Sequence, residues 1–339
     1  MPEPTPLGEF DLIARLVELA EDLGSNAAER GDIVIGSGDD AAVTLPGGAT
    51  ATSVDAMVDG IHFRRGTAPL SVIGRKALTA ALSDLAAMGA APGEAYVQLA
   101  IPADLDEAGA LELGRGLAAA AAEYGVAVAG GDVVRSPVLA LAITVVGHAP
   151  SPAEMVARAG ARAGDEVVVT GELGGAAAGL VLLDRPELGD AVAPDRRDSL
   201  RARHLEPSPR LAAGMALARN GATAMIDLSD GLGADAAHVA AASGVRLAIE
   251  LERVPVQAGV DEIASAADVD RWDLVAAGGE DYELLATLPA ERLSEAAAAV
   301  AESGTTLTTI GEVTDGEGVT LRQPGGSVRE PSGFDQLRP

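Results

Sequence analysis

The chain has no cysteine among its 339 residues. That absence excludes disulfides, thiolate nucleophiles, iron–sulfur clusters and cysteine-ligated zinc. Histidine occurs only four times, so a histidine-rich metal centre is not expected. Aromatic residues make up 2% of the chain, which leaves the core to Ala, Val, Leu and Ile, small side chains that let helices and sheets pack closely. Lys76 is the only lysine, and arginine carries the remaining positive charge, a bias read here as compositional rather than functional. No run approaches the roughly 18 apolar residues of a membrane-spanning helix. The first residues, MPEPTPLGEF, put Pro and Glu where a secretory signal needs a basic and then an apolar stretch. A cytoplasmic location is therefore expected.

Acid is what the chain has in excess. Fifty-one acidic residues stand against 24 basic ones, a formal net charge of −27. Such a chain repels nucleic acid and anionic membrane surfaces, so neither is an expected partner. The length suffices for two domains of ordinary size. The boundary is expected between Gly147 and Pro152, dividing the chain into 1–148 and 149–339.

Hydrophobic periodicity predicts helices over 10–23, 72–88 and 107–124, and strands over 33–35, 49–54, 96–101, 126–129 and 138–146. Beyond Pro150 it predicts strands at 166–170, 224–226, 246–251, 283–288 and 308–313. Helices are expected at 176–183, 209–220, 232–243 and 290–303, with the charged stretch 184–204 as an exposed connection. Such alternation indicates an α/β chain with α+β character and mixed sheets.

Aspartates recur beside Gly or Ser where these elements end: GSGDDAAV, SVDAMVDG, SDLAAMGA, GGDVV, DLSDGL and GGEDYE. One Asp-Gly pair is an ordinary turn, but six such places in one chain suggest a shared task, and strand ends with adjacent glycines are where α/β folds place ligands. Two phosphorylated reactants repel each other, and a chain of this charge repels both. Hard divalent cations held by carboxylates reverse the local sign, and magnesium takes oxygen ligands from one or two carboxylates plus substrate phosphates. Asp39, Asp40, Asp55, Asp84, Asp132, Asp227 and Asp230 are the candidate ligands, with Ser53 and Ser229 as helpers. Asp227 or Ser229 could equally cap the helix that begins near Leu232, a role compatible with a site.

Other phosphate machinery is missing. No G-x-x-x-x-G-K-[ST] loop occurs, and Lys76 in GRKAL does not fit one. The protein-kinase motifs are absent as well. GELGGAAAG is glycine-rich, yet a turn before a packed helix explains it as well as a phosphate loop does.

In order along the chain, GEFDLIARL, GDDAAV, SVDAMVDGIHF, KALTAALSDLAAMGA, GGDVVRSP, VVVTGELGGAAAGL, RHLEPSPR, MIDLSDGLGADAAHVA and GGEDYELL resemble the thiamine-monophosphate kinase family, relatives of aminoimidazole ribonucleotide synthetase. The match runs from residue 8 to about 288, with SGFDQL at 332–337 a looser continuation. The resemblance implies a two-domain aminoimidazole ribonucleotide synthetase-like fold. Residues 1–148 would bind ATP and magnesium and pair their sheets in a homodimer, and 149–339 would complete the substrate site. It further implies transfer of the ATP γ-phosphate to thiamine monophosphate with several magnesium ions. Asp40, Ser53, Val54, Asp55, Asp84, Asp132, Asp227 and Asp230 fall at metal positions, and Gly131, Asp132, Arg158 and Ser229 at nucleotide positions. His62, Glu280 and Phe334 fall near the thiamine moiety. Two departures stand out. Val54 replaces a common Thr, so a metal contact there would use its carbonyl, and Gly114 stands where an aromatic residue often contacts adenine.

Direct in-line transfer is expected, without a phosphoenzyme. The acceptor phosphate is largely anionic at neutral pH and needs no general base. The alternatives are a relative with the same ATP and magnesium site but another acceptor, and a non-catalytic nucleotide-binding protein. Selenophosphate synthetase and the hydrogenase-maturation relatives would bring a reactive cysteine, which this chain lacks.

Overall fold

The structure, a computed structural model, describes residues 9–25, 32–37 and 41–334. One compact unit runs through Leu85 and resumes from Ala91 to Pro152; the other comprises Ala86–Ala90 and the chain from Ala153 onward.

The first unit opens with α1 (Glu9–Asp22) and a short antiparallel pair, β1 (Ile33–Ile35) and β2 (Val43–Thr44). Then follow β3 (Ala49–Val58), α2 (Leu70–Ala87), β4 (Ala91–Ile101), α3 (Glu107–Tyr124), β5 (Ala127–Arg135) and β6 (Ala140–Ala149). The last four strands form one sheet in the order β3-β6-β4-β5, antiparallel except for the parallel β4/β5 pair. Alternation decides its faces: Met57, Leu141, Ile143 and Val145 are buried on one side, whereas Val54 on the other is 66% exposed. Helix α3 begins where the Asp106 carboxylate accepts the Gly109 N–H at 2.9 Å, and it stops at Gly125, whose φ of 67° lies in the left-handed region. It crosses α2 closely, because a Cβ on Gly74 or Gly116 would strike the carbonyl of Leu113 or Ser71.

The sequence placed the Asp-Gly motifs after strands, and two of them lie inside strands instead. β3 continues to Val58 and encloses Asp55, and β5 continues to Arg135 and encloses Gly130, Gly131 and Asp132. Both are edge strands. Gly and Asp are poor strand formers, but an edge with one neighbour tolerates them and the cross-strand ladder overrides local preference.

The second unit contains β7 (Asp165–Thr170), α4 (Gly175–Asp184), α5 (Pro194–Leu205), α6 (Leu211–Arg219), β8 (Ala224–Asp227), α7 (Leu232–Ser243) and β9 (Arg246–Glu250). It ends with α8 (Val260–Ala267), α9 (Arg271–Val275), β10 (Leu284–Pro289), α10 (Leu293–Ala301), β11 (Leu307–Thr314), β12 (Gly318–Arg322) and β13 (Val328–Arg329). Seven strands make a mixed sheet ordered β13-β12-β9-β11-β7-β10-β8, with β12/β9 the parallel pair. Small aliphatics fill its core, among them Val167, Val169, Leu247, Ile249, Leu285 and Ile310, and the one tryptophan, Trp272, is buried beneath Arg271. The segment 86–90 packs on α6 through small residues: a Cβ on Gly214 would meet the carbonyl of Ala86. Mixed sheets thus form both halves, as expected.

The stretch 184–204 is not an exposed connection. It holds a 3-10 turn at Pro186–Ala191 and then α5, whose Leu200 and His204 are buried. These two lie four residues apart on one face, so the charged residues between them hide a helix with a narrow apolar stripe. Helices α8 and α9 and strands β12 and β13 were also not anticipated. Among the described residues, no helix is long and apolar enough to cross a membrane.

Candidate active site

In the first unit Ser53, Asp55 and Asp84 gather at one edge of the sheet, and Asp132 does not join them. Ser53 and Asp55 sit two apart on β3, on the face that meets α2, and the Ser53 hydroxyl donates to the Asp84 carboxylate. Asp55 accepts the Ala56 N–H at 2.8 Å. Val54, between them, turns its side chain to the opposite face. Asp39 and Asp40 lie outside the described residues. Past the end of β3, a turn at Gly60 (φ 85°) folds IHF back, and His62 Nδ1 accepts the Val58 N–H at 3.0 Å. Nδ1 is therefore the unprotonated nitrogen, and Nε2 carries the proton. That Nε2 is buried and has no hydrogen-bond partner among the described residues.

Gly131 and Asp132 occupy the other edge. Asp55 is in register with Ile143, Val97 and Gly131 across the sheet. Three strand spacings of about 4.8 Å therefore put roughly 14 Å between the two edges. Gly131 and Asp132 line a cavity of about 460 Å³ together with Leu16, Val17, Leu117 and Ala118, a size usual for small-ligand sites. Gly114 also lines it, and a Cβ there would stand 2.5 Å from Leu16 Cδ2. Leu16 of α1 thus fills the space beside the glycine.

In the second unit two motif loops are interlocked. Glu280 donates its N–H to Ser229 O (2.8 Å), Tyr282 to Leu228 O (2.9 Å), and Leu228 to Glu283 O (2.7 Å). Gly279 is needed there, since any Cβ would strike the Ser229 carbonyl. The Phe334 N–H reaches Asp230 O at 2.9 Å, which brings the C-terminal aromatic ring to the same loop. Asp227, Ser229, Asp230, Glu280 and Phe334 therefore come together from three separate stretches. Arg158 is exposed on the segment before β7, where its carbonyl accepts the Ser243 hydroxyl at 3.2 Å.

Sequence reasoning missed the groups that hold these loops. The Asp235 carboxylate accepts the N–H groups of Asp230 and Gly231, both at 3.1 Å. Burial, and then the neighbouring Asp227, push its pKa up to about 8. Asp281 is buried and accepts from Gly174 and Ala176 at the start of α4. Glu283, fully buried, is gripped by Arg203, Arg210 and Thr170. His204 Nδ1 lies 3.1 Å from Glu280 Oε2. The signal for these roles was present in GGEDYE and RHLEPSPR as motifs, but only the folded chain says which carboxylate faces inward. Elsewhere, Asp32, Glu94 and His148 place potential ligand atoms within 4.8 Å of one another. The buried Glu94 and the half-buried His148 meet at 2.9 Å, so a hydrogen bond between side chains accounts for two of the three.

The donor set suits a hard cation. Ser53, Asp55 and Asp84 offer oxygen only, as magnesium prefers. Burial first and the neighbouring Asp227 second raise the pKa of Asp235 to about 8, and a cation beside Asp227 would offset the second of these.

The N-terminal domain of AIR synthase related proteins matches residues 38–149, and the C-terminal domain matches residues 162–323. Thiamine-monophosphate kinase of Escherichia coli K12 is 37% identical over 327 residues, covering 93% of this chain and 96% of the relative. That of Mycobacterium tuberculosis is 38% identical over 284 residues, covering 83% and 80%. The crystal structure of thiamine-monophosphate kinase from Stenotrophomonas maltophilia aligns with a TM-score of 0.81 at 34% identity, over 91% of this chain and 95% of that one. AaThiL complexed with AMPPCP and TMP aligns with a TM-score of 0.75 at 32% identity, over 96% of each chain.

Proposed function

The chain belongs to the thiamine-monophosphate kinases of the AIR synthase related family, and from that premise we propose how its residues divide the work. It is an ATP-dependent kinase that transfers the γ-phosphate of ATP to thiamine monophosphate, releasing thiamine diphosphate and ADP. What carries the reading at the level of the site is the convergence of Asp227, Ser229, Asp230, Glu280 and Phe334 in the second unit. An acidic side chain and an aromatic ring brought to one loop pair suit the cationic thiazolium of thiamine.

Asp40, Ser53, Asp55, Asp84, Asp132, Asp227 and Asp230 would hold magnesium, with Val54 contributing its carbonyl. Bound there, magnesium would offset the repulsion between the two phosphorylated anions. Gly131 and Asp132 would meet the nucleotide from the wall of their cavity, whose apolar lining suits a base. Arg158 and Ser229 would contact its phosphates. His62 Nε2, a buried donor without a partner among the described residues, is suited to an acceptor-phosphate oxygen.

An acceptor oxygen attacks the γ-phosphorus as the bond to the β-phosphate oxygen breaks. With a second pKa near 6, that acceptor is already largely anionic at neutral pH. Alignment and charge neutralisation then suffice, with no side chain as base and no phosphoenzyme. We also infer a cytoplasmic homodimer paired through the open sheet face of the first unit, where Val54, Thr144 and Val146 present little charge.

Incubation with ATP, magnesium and thiamine monophosphate should yield thiamine diphosphate and ADP in equal amounts. Free thiamine, whose only acceptor is an un-ionised hydroxyl that needs a base, should not react. Turnover only with another phosphorylated acceptor would replace this reading by that of a relative, and ATP binding without turnover on any acceptor would make the chain a binding protein.

A further inference from the structure

We propose that His204 is a positioning residue that fixes the Glu280 carboxylate in the orientation that receives the cationic ring of the acceptor. The inference rests on the reading that Glu280 meets the substrate.

Glu280 has φ of 66°, and Tyr282, two residues on, has 49°. Side chains other than glycine seldom occupy this left-handed region, and they persist there only when their surroundings over-determine them. The surroundings here do so. The backbone of the segment is hydrogen-bonded to Ser229 and Leu228. Asp281 is sunk between the N–H groups of Gly174 and Ala176. Glu283 is held by Arg210 through two contacts of 2.7 and 2.5 Å, by Thr170 at 2.6 Å and by Arg203. Of the three acidic side chains in GGEDYE, Asp281 and Glu283 are buried anchors, and Glu280 alone reaches outward, 28% exposed.

His204 Nδ1, on a side chain 8% exposed, lies 3.1 Å from Glu280 Oε2. His204 follows Arg203 directly in RHLEPSPR, so the same turn of α5 grips Glu283 and flanks Glu280. A glutamate at the surface does not need a partner for stability. Holding it still before substrate arrives reduces the ordering that binding must otherwise impose. This gives RHLEPSPR a task that neither the magnesium nor the nucleotide assignments use.

Steady-state kinetics on four variants of the full chain test the proposal. His204→Phe keeps a planar aromatic ring and removes both nitrogens. It should raise KM for thiamine monophosphate about tenfold, the effect of one contact to a charge, with kcat and KM for ATP within about twofold of wild type. His204→Asn, whose amide nitrogen can take the place of Nδ1, should recover most of the loss. Glu280→Gln should raise the same KM, and the double variant His204→Phe/Glu280→Gln should be no worse than Glu280→Gln alone. Should His204→Phe not fold, as judged by circular dichroism, His204→Gln replaces it, since its longer chain carries the amide past the Nδ1 position. An unchanged KM for thiamine monophosphate in the His204 variant, beside a raised KM in Glu280→Gln, overturns the proposal. So do additive effects in the double variant, or an equal rise in KM for ATP. An unchanged KM in Glu280→Gln itself would instead refute the contact between Glu280 and the substrate.

Discussion

Gly174 donates its backbone N–H to the buried Asp281 carboxylate across 2.7 Å, and Ala176 adds a second N–H at 3.1 Å. The glycine-rich turn GELGG thus gives the start of α4 to a carboxylate of the protein itself. Two of the donors that a phosphate would seek at a helix N-terminus are thereby occupied, and the turn serves to anchor GGEDYE.

That anchor has a pH signature. Burial pushes the pKa of Asp281 up to about 6 from an ordinary 3.8, against the lowering influence of Arg203 and the two N–H groups. A carboxyl whose pKa is higher folded than unfolded contributes most at low pH, and that contribution is lost as pH rises through about 6. Asp281→Asn is neutral at every pH. The stability advantage of wild type over this variant should therefore shrink between about pH 4 and pH 7, as read by urea denaturation at each pH. An advantage that grows with pH would mean the buried carboxyl is ionised throughout.

Asp55→Asn and Asp132→Asn should each reduce turnover by at least about a hundredfold, the scale seen on removing a group that stabilises transition-state charge. Their circular dichroism spectra should match wild type, because both residues lie on edge strands. Recovery of activity in excess magnesium would show weakened metal affinity, whereas wild-type activity at limiting magnesium would remove that residue from the metal set.

Gly114 and Leu16 should be energetically coupled. Gly114→Phe pushes a ring into space that Leu16 holds, and overpacking of this kind costs about 1–3 kcal/mol. Adding Leu16→Ala should return most of that stability and leave an aromatic wall on the cavity. Thermal melts of the two single variants and the double give the coupling. Simple additivity would place the two side chains out of contact.

His148→Ala should strand the Glu94 carboxylate, which is 3% exposed. Leaving a buried acceptor without its donor costs about 1–3 kcal/mol. The paired replacement Glu94→Met/His148→Leu should cost far less, since neither residue then leaves a charge behind. Chemical denaturation distinguishes the outcomes. Equal destabilisation of both variants would show that shape rather than charge governs this site.

Much of the fold was legible beforehand because local physics fixes it. The helix over 107–124 was readable from its periodicity, and the structure ends it where Asp106 caps it and Gly125 turns it off. The helix at 232–243 and the strand at 166–170 were equally plain. The stretch 184–204 is rich in charge, and α5 leaves its charged residues exposed or part-buried and fully buries only Leu200 and His204, too few for a convincing period. Asp55 and Asp132 were placed at strand ends because Gly and Asp disfavour strands, whereas their sheet neighbours carry both strands onward.

The order of motifs by itself pointed to the family, through its resemblance to known kinases, because that order is written in the chain and needs no folding to be read. Tertiary structure alone decided which acids are sunk in the protein and which stay open. Asp230 and Glu280 remain partly exposed with their backbones bonded into one pair of loops, while Asp227, Asp235, Asp281 and Glu283, equally acidic on paper, are buried, the last three anchored on N–H groups or on arginine. Whether a carboxylate is anchored depends on the donors it meets, and those donors come from segments far apart in the chain.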